Sequence, residues 1–84
     1  MIIHELKIER NYLENLIDGT KKSEIRYNDR DYQVGDILEF THPYTGDLFR
    51  YDITHIHSGL GLKDGYVVLS VKAAPPQKGE SNGR

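Results

Sequence analysis

No cysteine occurs among the 84 residues. That removes disulfides, thiolate zinc sites and thiol nucleophiles in one step. Tryptophan is also absent, and methionine occurs only at position 1. No apolar run approaches the roughly 20 residues that a membrane-spanning helix needs. Met1-Ile2-Ile3-His4-Glu5 has neither a basic flank nor an apolar stretch of signal-peptide type, so a cytoplasmic protein without membrane association is expected. A basic excess is missing too, the net charge being −2. Taking away Lys78, Arg84 and Glu80 with the C-terminal tail moves it to −3. A wide phosphate-gripping surface is therefore excluded, and any nucleic-acid contact has to be a local pocket. Gly59-Leu60-Gly61 lacks a third glycine and opens no helix, so no phosphate-cradling loop is present.

What remains is a chain of 37% hydrophobic and 29% charged residues, ordinary for one small folded domain with a modest core. Ile2 to Ile8 alternates with period two, placing Ile2, His4, Leu6 and Ile8 on one side of a strand. Tyr12, Leu13, Leu16 and Ile17 recur at helical spacing before Gly19, which suits a left-handed cap, so a helix is expected over Arg10–Asp18. Strands follow at Ser23–Tyr27, Ile37–Thr41, Leu48–His57 and Tyr66–Val71, the middle two forming a hairpin. Ala73–Arg84 carries Pro75-Pro76 and no large apolar side chain, and reads as a disordered tail after a domain over residues 1–72. The order β-α-β-β-β-β implies an α+β domain, a small mixed or antiparallel β-barrel or curled sheet with one short helix near its end.

One segment carries chemistry. Gly19-Thr20-Lys21-Lys22-Ser23-Glu24-Ile25-Arg26 joins the helix cap to a strand. Period two puts Glu24 and Arg26 on the same side of that strand. Lys21 has the opposite parity and joins them only if it still belongs to the turn after Gly19. A convergent trio has two uses. Arg26 is a forked donor for phosphate, Glu24 an acceptor for an exocyclic amine, and Lys21 a second phosphate contact. Alternatively, a lysine pressed against Arg26 would have its ammonium disfavoured and would serve as a base or nucleophile, with Glu24 as the partner acid. A solvated Glu–Arg pair with two exposed lysines near a helix C-terminus fits the same residues.

Gly19-x-Lys21-x-x-Glu24-x-Arg26, followed by Val34-Gly35-Asp36, resembles the signature of ASCH domains in the PUA-like superfamily. His4-Glu5-Leu6-Lys7-Ile8 and Gly61 to Ser70 resemble a short bacterial and phage branch of it. The resemblance implies a β-barrel with a cleft beside the helix, floored by Lys21, Glu24 and Arg26, that binds RNA or a nucleotide-like ligand, with Lys7 reaching the same cleft. Some relatives hydrolyse N4-acetylcytidine using a lysine, a threonine and a downstream glutamate. Lys21 matches that lysine, but Glu24 stands at the threonine position and a short loop replaces the segment bearing the glutamate, which counts against hydrolysis.

Tyr27, Tyr32 and Tyr44 lie at loops near the motif and are candidates to stack on a base, or simply half-buried rings. Arg30 is flanked by Asp29 and Asp31, an arrangement expected to neutralise it locally. His55 and His57 share a strand face but lack a third ligand, so no metal or other cofactor is expected. An anchor-like apolar patch elsewhere would instead indicate a protein-interaction adaptor. Oligomeric state is left open.

Overall fold

The computed structural model describes residues 1–74. Five strands and one helix follow in the order β1 (Ile3–Leu6), α1 (Arg10–Asp18), β2 (Ser23–Tyr27), β3 (Ile37–Thr41), β4 (Leu48–Ser58) and β5 (Tyr66–Ala73). They form one sheet of order β1-β3-β4-β5-β2, so β1 and β2, neighbours in the chain, stand at opposite edges. Only β1 and β3 run parallel, with Ile3 beside Ile37 and Leu6 beside Phe40. The other pairings are antiparallel.

Alternation explains which residues go inside. His4 and Leu6, Leu38 and Phe40, Tyr51 and Ile53, Val67 and Leu69 point to one side of the sheet and are buried. The helix seals that side with Leu13 and Leu16. Its nine residues are too few for a helix stable by itself, so packing of those two leucines holds it. The chain leaves through Gly19 in the left-handed conformation, φ 87°, with its N–H donating to Leu16 O. Thr20 reinforces the exit, donating from both its backbone N–H (2.9 Å) and its hydroxyl (2.7 Å) to Asp18 Oδ1. Those two bonds hold the Asp18 carboxyl below its usual pKa, the hydroxyl contact counting most.

The expected barrel is not closed. The curled sheet keeps two free edges and is a half-barrel, because β1 pairs only with β3 and β2 only with β5. Strand β4 carries a register shift between Ile53 and His55, the kind of extra residue that bends a strand. Strand β5 runs on to Ala73, and Ala74 N donates to Arg50 O. The remainder of the expected tail, 75–84, lies outside the described residues. No helix among the described residues is long and apolar enough to cross a membrane.

Candidate functional site

Strand β2 turns its charged residues inward and its apolar ones out. Glu24 is 7% exposed, whereas Ile25 is 60% exposed. A carboxylate so placed needs partners, and it has three cationic contacts. Glu24 Oε1 lies 2.9 Å from Lys21 Nζ. Oε2 takes a forked approach from Arg26, 2.8 Å from Nη2 and 3.0 Å from Nε. Lys21 precedes β2 and sits in the turn, its N–H donating to Asn15 O, which is the condition for it to reach Glu24 from the opposite parity. Its ammonium also donates to Ser23 O and stands 5.9 Å above the Tyr12 ring.

Glu24 therefore separates two hollows rather than flooring one cleft. Lys21 and Glu24 face an open hollow of about 600 Å³ between α1 and β2, with Tyr12, Asn15 and Ile25 around it. Lys21 does not press against Arg26 there, since the carboxylate stands between them. The Thr20 hydroxyl is donated to Asp18, and Ser23 meets the Lys21 ammonium through its carbonyl.

On the other side, Arg26 and Lys7 line a hollow of about 390 Å³ with Glu5, Tyr27, Arg30 and Tyr32. It lies at the seam where the two free edges approach. Arg26 Nη2 crosses that seam and donates to Lys7 O at 2.6 Å. The loop after β2 aims two more groups at it. Asp29 N–H turns back to Tyr27 O, Asn28 Oδ1 accepts from Tyr32 N–H, and Asp31 adopts a left-handed φ of 51°. Tyr32 is thereby driven into the core, its ring edge-on to His4 at 4.8 Å. Burial is the main cause raising its hydroxyl pKa, opposed by the positive charges of Arg26 and Arg30 and assisted by Asp29 and Glu24.

Arg30 corrects one expectation. Neither flanking aspartate neutralises it. Asp31 binds the Gln33 side chain instead, and Arg30 has no carboxylate within ion-pair distance among the described residues. Lys7 is likewise exposed and has no ion pair among the described residues. Tyr27 keeps 55% of its surface exposed while its ring rests edge-on against Tyr66 at 5.4 Å. A Cβ placed on Gly65 would come within 2.5 Å of that ring. Tyr44 is remote, beneath Arg10 at 5.0 Å. His55 and His57 lie on the outer face, and no group of three or more metal-ligating side chains occurs among the described residues. Local pattern does not place Tyr32 and Arg30 at the seam; the loop's hydrogen bonds bring them there.

The fold and site define a small α+β half-barrel with a cationic, tyrosine-bordered hollow at its open seam. The chain belongs to the family described as a domain of unknown function, DUF3850, whose model matches residues 3–71. It is 42% identical over 36 residues to an uncharacterized 12.9 kDa protein of Escherichia phage P2. That stretch covers 43% of this chain and 33% of the relative, so the chain spans about a third of the protein it matches. The family match overturns the resemblance to ASCH and PUA-like domains, which was drawn over most of Ile2 to Lys72. RNA binding, taken from that resemblance, loses its support with it.

Proposed function

We propose that this domain binds a small phosphate-bearing, nucleotide-like ligand at the seam hollow formed by Lys7, Arg26, Tyr27, Arg30 and Tyr32. The observation that carries the reading is the placement of two cations unpaired among the described residues, Lys7 and Arg30, beside a guanidinium already held in position. Glu24 and the Lys7 carbonyl fix Arg26 before any ligand arrives, so little side-chain entropy remains to be lost on binding. A guanidinium has five donors, and the bonds at Nε and Nη2 leave others for a phosphate oxygen. Tyr27, propped by Gly65 and Tyr66 yet exposed, offers a firm aromatic surface next to these cations. Glu5 and Asp29 on the rim would turn away a ligand of high negative charge and favour a monophosphate.

Amide chemical shifts followed during titration with adenosine 5′-monophosphate, adenosine and inorganic phosphate test the reading. Saturable shifts at Lys7, Arg26 and Arg30 with the monophosphate, weaker with either half alone, are expected. Arg30→Ala should weaken binding by about tenfold, the range for one charge-assisted contact, without unfolding the domain. Absence of saturable shifts with the monophosphate would overturn the proposal.

A further inference from the structure

Strand β1 turns half of its backbone toward the seam hollow. Ile37 N–H donates to Ile2 O at 2.9 Å, with Ile3 beside Ile37 in a parallel register. That pairing commits the backbone groups of His4 and Leu6 to β3 and turns those of Ile3, Glu5 and Lys7 to the opposite side. The opposite side is the seam, since the Lys7 carbonyl meets Arg26 Nη2 there. Glu5 also lines the hollow. Because β3 is the one strand beside β1, the Glu5 N–H and C=O have no partner among the described residues. A third unmet group shares the hollow. Tyr32 is 4% exposed, and its hydroxyl has no hydrogen-bond partner among the described residues. No fully buried side-chain oxygen or nitrogen among them lacks a partner, so this hydroxyl opens into the hollow that the ring lines.

We infer, on the phosphate-binding reading above, that the Glu5 backbone reads the base of the bound nucleotide edge-on. Its N–H donates to a ring nitrogen, and its C=O accepts from the exocyclic amine beside that nitrogen. Ionised phosphate oxygens accept hydrogen bonds and donate none. Lys7, Arg26, Arg30 and the Tyr32 hydroxyl are donors and suit them. The Glu5 carbonyl is an acceptor, and against a phosphate oxygen it would stay unpaired at the cost of its desolvation. The N–H and C=O of one extended residue point the same way, so their complement is a flat group with an acceptor next to a donor. The amine-bearing pairing edge of adenine or cytosine is such a group. Glu5 and Lys7 stand roughly 7 Å apart along the strand, of the order of the separation between base and phosphate in one nucleotide. Exposed Tyr27 borders the same hollow and offers its ring to the face of the base.

Titrations with adenosine 5′-monophosphate, purine riboside 5′-monophosphate and ribose 5-phosphate test this, the second lacking only the exocyclic amine of the first. Adenosine monophosphate should shift the Glu5 amide and bind about tenfold more tightly than the purine riboside nucleotide, which leaves the carbonyl unmet. Glu5→Pro removes the N–H that faces the seam and keeps every β1–β3 ladder bond, the position at which an edge strand tolerates proline. Compared with Glu5→Ala, which loses the same carboxylate, Glu5→Pro should weaken adenosine monophosphate roughly tenfold and leave ribose 5-phosphate unchanged. Equal affinity of the wild-type chain for the two purine nucleotides overturns the inference, and so does equal affinity of the two variants for adenosine monophosphate. In either case saturable binding of ribose 5-phosphate keeps the phosphate reading. If none of the three ligands binds, both fall together. Should Glu5→Pro lose the native amide spectrum, the two purine nucleotides on the wild-type chain decide.

Discussion

Asp36 shows how one side chain can join several parts of a small domain. It is 3% exposed, and burial alone would raise its pKa. Hydrogen bonds outweigh that cost. His4 Nε2 donates at 2.9 Å, Ile2 N–H at 3.1 Å and Gln33 N–H at 3.1 Å, so the carboxyl is held below its usual value. A group whose folded pKa is depressed stabilises the fold above its unfolded pKa and loses that contribution as pH falls through the folded value. Stability should thus drop on acidification below about pH 4, the unfolded carboxylate range. Asp36→Asn should flatten that limb of the urea-unfolding profile and lower the unfolding free energy at pH 7 by about 3 kcal/mol, the cost of breaking a buried pair. An unchanged acid limb would show that other carboxylates govern it. Tyr32 acts at the other end: its raised pKa means that stability present at neutral pH is lost as pH rises beyond about 10.

At the scale of elements, the turn before β5 and the end of β2 depend on each other. Gly65 has φ 85°, and its missing Cβ leaves room for the Tyr27 ring. Gly65→Ala therefore meets two penalties, a left-handed backbone and an overlap with an aromatic ring, and should cost about 2 kcal/mol or more. Thermal unfolding reads the cost, and a Tyr27→Ala background should recover the steric part but not the backbone part. An equal loss in both backgrounds would assign the cost to the backbone. Helix α1 was readable in the sequence because its apolar spacing and Gly19 agree on where it begins and ends. Strand β2 was readable in extent but not in orientation. Its apolar Ile25 faces solvent and its charged Glu24 faces the interior, the reverse of the usual pattern, and no rule of alternation says which parity is buried.

For the whole molecule, the open seam is the feature that matters. One guanidinium crosses it, from Arg26 on the last strand of the sheet to the Lys7 carbonyl beyond the first. Arg26→Lys keeps the charge and loses the fork, so it should release the Lys7 carbonyl. Amide exchange in β1 should then quicken relative to β4, which lies inside the sheet; equal protection of β1 in both proteins would show that the bridge does not hold the edge. Composition, alternation and glycine placement determined by themselves that this chain makes one helix and five strands of nearly the observed lengths, because those signals act over a few residues. They also showed that Glu24 and Arg26 share a face. Tertiary structure alone decided that the sheet stays open with β1 and β2 at its edges, that Glu24 divides two hollows, and that Arg30 and Lys7 have no ion pair among the described residues at the seam. Those outcomes depend on contacts between residues far apart in the chain, which local periodicity does not encode.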